Sequence, residues 1–144
     1  MAFPGTYNIN YYMGDTYEFK IFPKTASGDV YSLSTFFYDD DNNELTPKFN
    51  SAVFAFAEEK AVGGTTPPDP AGYHECYAKI ADNGTHITCA IRPDDAQYLD
   101  PTKKYVYDVQ VSKPANGGDY KTVITLMTGT ITVTGQVIVP DNIG

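Results

Sequence analysis

The sequence predicts an all-β protein, one antiparallel β-sandwich of about seven strands with one short helical turn, a closed barrel being the alternative. Three observations carry that prediction. Val, Ile, Thr, Tyr and Phe, which suit a pleated and half-buried surface, together number 55 of the 144 residues, against 4 Leu and 5 Glu. Apolar residues alternate with period two in one segment after another, and no segment repeats them at helical spacing over three turns. The 12 Gly and 10 Pro fall largely between these segments, where turns are needed. A chain of this length with 42% hydrophobic residues can bury a core without staples, and no composition break or internal repeat divides residues 1–144.

Taken in order, the first strand covers residues 6–12, and Gly14-Asp15 turns the chain into a second at 16–22. There Tyr17, Phe19 and Ile21 face one side and Glu18 and Lys20 the other. Pro23 lacks a ladder donor and marks a strand end or an edge; the turn Ser27-Gly28-Asp29 then leads into a strand at 30–38. Residues 39–44 form a polar loop. A core strand follows at 48–58, with Phe54 and Phe56 on one face and Val53, Ala55 and Ala57 on the other. The proline- and glycine-rich stretch 63–72 sustains neither ladder nor helix and reads as an exposed loop.

Asn83-Gly84 is the favoured two-residue hairpin turn. It pairs Ile80 with Ile87, Ala78 with Cys89 and Cys76 with Ile91, and the apolar alternation of both strands agrees with that register. Pro93 with acids behind it starts a helical turn within 93–101 that crosses between sheets, Tyr98 and Leu99 plugging the sandwich end. In the strand 104–112, Tyr105, Tyr107, Val109 and Val111 point inward. A turn at 116–119 leads into a long strand at 120–134. Gly129 marks a bulge there, because Ile124 and Leu126 lie on one parity and Ile131 and Val133 on the other.

Charge and termini narrow the partners. Eighteen acidic against ten basic residues give a net charge of -8, and Arg92 is the single arginine, so polyphosphate is repelled and the forked phosphate-binding side chain is scarce. Neither nucleic acid nor an anionic membrane is an expected partner. The amino terminus lacks the basic start and apolar stretch of a secretory signal, so export by that route is not expected.

Cys76 and Cys89 fit no zinc spacing, and as diagonal neighbours across the hairpin they sit at ~7–8 Å, too far for an unstrained bridge. Two buried free thiols and no metal site are expected. The run 39–44 offers hard-cation oxygens but fails the EF-hand pattern at its sixth and twelfth positions, Glu44 and Asn50, and reads as a solvated turn. His86 falls on the outward face with Thr88 and Arg92, and His74 has only Glu75 as an adjacent carboxylate. Nothing in the strand pattern gives either histidine a nucleophile and a pocket, and no Gly-x-Ser-x-Gly elbow is present. No enzymatic activity and no cofactor are expected. Among the twelve tyrosines, Tyr17, Tyr105 and Tyr107 belong to core faces, whereas Tyr7, Tyr11, Tyr12, Tyr73, Tyr77 and Tyr120 are the candidates for an interface, where a flat apolar ring with a polar tip is favoured.

Three stretches in the right order, about a third of the chain, resemble the small immunoglobulin-like β-sandwich proteins of tailed bacteriophages: long-tail-fibre collar and connector proteins, minor tail proteins, and the amino-terminal domain of baseplate upper proteins. They are residues 11–23 (YYMGDTYEFKIFP), 87–111 (ITCAIRPDDAQYLDPTKKYVYDVQV) and 126–137 (LMTGTITVTGQV). Residues 30–72 depart from the pattern, being longer and richer in acids. The resemblance implies an immunoglobulin-like sandwich and a structural, tail-associated part of a virion, placed at a collar, fibre attachment or baseplate. Its implied partners are other virion proteins and further copies of itself; it carries over no catalytic residues. A capsid decoration protein is the alternative within that class, and a carbohydrate-binding or adhesion module the alternative outside it.

Overall fold

The computed structural model describes residues 4–38, 52–59, 70–114 and 120–135, apart from the side chains of 114, 120 and 121. The expected features at 39–44, 63–69 and 116–119 lie outside the described residues. The elements in chain order are β1 (Gly5–Thr6), β2 (Ile9–Tyr12), β3 (Tyr17–Ile21), a 3-10 helix (Ser34–Phe37), β4 (Val53–Ala57), β5 (His74–Ile80), β6 (Ile87–Ile91), a second 3-10 helix (Pro93–Tyr98), β7 (Lys104–Pro114) and β8 (Tyr120–Thr134). The chain is all-β, as its composition predicts. The strands form one continuous path, β1-β8-β7-β4-β5-β6-β3, with β2 also on β8, curled into a half-barrel.

Two expectations about the sheet are corrected. The first strand is split, and both pieces run parallel to β8, so the sheet is mixed rather than antiparallel. At the break, Tyr7 N–H still donates to Thr128 O, while the Asn8 side-chain oxygen accepts from Thr130 N–H where a backbone carbonyl would otherwise stand. The region 30–38 is not a strand: Val30 makes an isolated bridge to Lys24, and the chain then winds into the 3-10 helix. Leu33, Phe36 and Phe37 stand at helical spacing and are all buried, so the winding puts three large apolar groups into the core where alternation would have exposed some of them.

The register around Asn83-Gly84 is as read from the sequence: Ile80 pairs with Ile87 and Ala78 with Cys89. The turn itself is wider than two residues, since Ala81 N–H donates to His86 O and Gly84 N–H to Ala81 O. Gly84 has φ +71°, and its carbonyl accepts from Leu33 N–H at 2.8 Å, tying the hairpin tip to the first 3-10 helix. A side chain at Gly84 would meet Ser34 N at 2.7 Å.

Cys76 does not pair with Ile91. At Tyr77, β5 changes partner: His74, Glu75 and Cys76 pair with Phe56, Ala55 and Phe54 of β4, and residues 77–80 pair with β6. Ile91 pairs instead with Tyr17 of β3. This switch carries β6 and β3 over the other strands, so that Phe19 of β3 meets Phe54 of β4 edge-on at 5.3 Å, and Phe54 in turn meets Tyr107 of β7 at 5.5 Å. Tyr105, Tyr107, Val109 and Val111 are buried as expected. The bulge in β8 is at Leu126 rather than Gly129, because Val109 pairs with Met127 and Gln110 with Thr125. The extra residue shifts the parity, so Ile124 before it packs against the core and Ile131 and Val133 beyond it are buried, as is Leu126 itself.

Candidate functional site

The six interface tyrosines have different fates. Tyr11 is corrected: at 1% exposure it is a core residue, its hydroxyl donating to Asp15 O at 2.7 Å, and burial pushes its phenol up to about 12. Tyr12, next along β2, is 58% exposed, and Tyr7 is 43% exposed. The hydroxyls of Tyr7 and Tyr17 lie 2.6 Å apart, and the Tyr7 ring packs against Phe19. Burial, followed by the hydrogen bond to Tyr7, raises the Tyr17 phenol to about 12. Tyr73 is exposed, and its hydroxyl donates to Glu75 Oε2 at 2.9 Å. Tyr77 is half-buried beneath the Arg92 guanidinium, 4.1 Å from its ring centre. Tyr120 begins β8, and its side chain lies outside the described residues. Tyr98, expected as a plug beside Leu99, is instead 52% exposed, while Leu99 is buried.

Tyr7 and Tyr17 therefore bridge two elements from opposite ends of the strand path, the β1–β2 junction and β3, with no backbone ladder between them. Among the described residues β3 is hydrogen-bonded to a strand on one side only. Its outward residues, Glu18 and Lys20, are exposed and of opposite charge, and Phe22 just beyond its end is 53% exposed against the His86 ring.

A second cluster was not foreseen. His74, Cys76 and Asp95 bring one ligand atom each to within 4.8 Å of one another, the one group of three or more His, Cys, Asp or Glu with this geometry among the described residues. His74 and Cys76 are two apart on β5 and so share a face. Asp95 arrives from the second 3-10 helix, its Oδ1 2.7 Å from His74 Nε2 and its Oδ2 accepting from Arg92 N–H at 2.8 Å. The expected carboxylate neighbour of His74, Glu75, points to the other face and bonds Tyr73 instead. The imidazole stacks on Tyr98 at 4.0 Å and leans on Phe56 at 5.4 Å. Both cysteines are free thiols as expected, Cys89 buried and Cys76 half-buried. Burial, then the neighbouring Asp95 carboxylate, pushes the Cys76 thiol up, and burial pushes Cys89 up to about 12, so both are protonated and poorly nucleophilic near neutrality. The only sequence signal for this cluster was the i, i+2 spacing of His74 and Cys76.

Among the described residues, no helix is long and apolar enough to cross a membrane. Neither the protein-family models nor the curated proteins compared with this chain match it.

Proposed function

We propose that the chain is a structural subunit of a phage virion, tail-associated at a collar, fibre attachment or baseplate, that works by protein–protein assembly rather than by catalysis. The observation that carries the assembly reading is the edge of β3 that no strand among the described residues covers, flanked by the exposed rings of Tyr7 and Phe22. An unpaired edge is a template for another strand, and the exposed Glu18 and Lys20 favour a partner of complementary charge over indiscriminate pairing. Tyr12 adds a third exposed aromatic on β2.

The immunoglobulin-like reading, on which the virion assignment rests, has three supports. The initial strands run parallel to the last one, β3 pairs with β6 across the fold, and Tyr105 at the start of β7 accepts a hydrogen bond from Asp100 N–H at 2.9 Å. That last bond has the form of a tyrosine corner, a feature of immunoglobulin-like domains.

The test is to look for the chain in purified particles by mass spectrometry and immunogold microscopy, and to measure its mass by light scattering with and without particle extract. Incorporation at the tail, with weakened association in Tyr7→Ser, is the expected result. Labelling over the capsid surface would reassign the protein to decoration. A stable monomer absent from particles that binds a glycan array would overturn the reading in favour of a carbohydrate-binding module.

A further inference from the structure

We propose that His74, Cys76 and Asp95 form a three-ligand binding site for a thiophilic divalent cation of the zinc class, stapling β5 to the 3-10 helix between β6 and β7. Thiolate, imidazole and carboxylate are the donor set that zinc takes, and their mutual separations of 4.8 Å or less already approach the edges of a coordination tetrahedron. The tightest contact, 2.7 Å between His74 Nε2 and Asp95 Oδ1, opens to roughly 3.3 Å when both hold one ion at ~2.0–2.1 Å with tetrahedral angles. The ion takes the position of the proton between those two atoms, and that proton passes to solvent where Nδ1 already carries one or is taken up at Nδ1 where it does not. His74 then binds as the neutral ring protonated at Nδ1, and the Cys76 thiol gives its proton to solvent.

The surroundings hold each ligand in place. Arg92 N–H occupies Oδ2 of Asp95, leaving Oδ1 for a single bond to the ion. Tyr98 and Phe56 contact the His74 ring and limit its rotation. His74 and Cys76 are set by ladder pairing with Phe56 and Phe54, whose side chains are fully buried. The His74 and Asp95 side chains are 19% and 14% exposed, which leaves an approach for the ion and a fourth position for water. Sequence spacing could not suggest this site, because its third ligand is not a cysteine or histidine near the pair but an aspartate 19 residues beyond Cys76.

The full chain, reduced and stripped of metal, is titrated with zinc by calorimetry and with cobalt by absorption. One ion per chain is expected, with the thiolate-to-cobalt charge-transfer band and the visible bands of a tetrahedral ion. Zinc is expected to slow alkylation of Cys76. Cys76→Ser should abolish the charge-transfer band, Asp95→Asn should weaken zinc binding by about tenfold or more, and Cys89→Ser should leave both unchanged. Should Cys76→Ser fail to fold, Asp95→Asn and zinc protection of the thiol in the unaltered protein decide the matter. No uptake, an octahedral cobalt spectrum without charge transfer, or full affinity in Asp95→Asn would overturn the proposal.

Discussion

Gly129 has no side chain because the Tyr7 backbone passes directly over it. A methyl group there would overlap the Tyr7 carbonyl and press on the Tyr107 ring, whose hydroxyl donates to that same carbonyl. Gly129→Ala is therefore expected to destabilise the fold by about 3 kcal/mol, the upper part of the overpacking range, read as a lower urea midpoint with an unchanged slope. Wild-type stability in that variant would mean that the β1–β2 junction is free to move away from β8. The sequence marks this glycine as special, but for a bulge that belongs to Leu126. The tyrosines show the same limit. Parity separates Tyr11 from Tyr12, yet which of the two faces the core depends on β8 lying alongside β2. His74 and Cys76 are legible as neighbours on one face, whereas Asp95 reaches them through a turn and a helix that no local pattern aims.

At the scale of elements, the β5–β6 hairpin was the most legible part. Its turn residues and apolar alternation are both local and agree, and the pairing between 77–80 and 87–90 follows. The first 3-10 helix was the least legible. Its two buried side chains, with Leu33 at the N-cap, cover little more than one turn, too short to display a period, and the flanking Val30, Tyr31 and Tyr38 favour strand. What holds it is tertiary: Leu33 N–H bonds Gly84 O, and Leu33 and Phe36 are at or near zero exposure. Phe36→Ala is expected to cost about 3–5 kcal/mol, and hydrogen exchange should speed first at the Leu33 amide and around the hairpin tip. Equal acceleration across all eight strands would show instead that the helix is not a separable unit.

The whole molecule responds to high pH through its phenols. Burial raises Tyr11 and Tyr17 from about 10 to about 12, and Tyr107 is raised as well. The folded chain then keeps protons that the unfolded chain releases. Stability is therefore fully present below about 10 and declines as the pH rises toward about 12. Urea midpoints measured alongside phenolate absorbance should stay level to about pH 10 and then fall, with a shallower fall in Tyr11→Phe. A level midpoint through pH 12 would contradict the burial of these groups. The same scale governs assembly, because β3 presents an edge only where the strand path of the described residues ends and the half-barrel stays open.

By itself the sequence determined the all-β class, the division of β4 into two faces, the inward faces of β7 and the second half of β5, the hairpin register from Tyr77 to Ala90 and the free state of the thiols. Each of these depends on alternation, turn chemistry or spacing within about twenty residues of chain. Only the tertiary structure decided the parallel docking of β1 and β2 on β8, the change of partner in β5, the 3-10 winding at Ser34–Phe37 and the meeting of Asp95 with His74 and Cys76. The physical reason is that these contacts join segments far apart in sequence. Their stability comes from mutual burial, and a side chain's local pattern does not encode which distant surface will cover it.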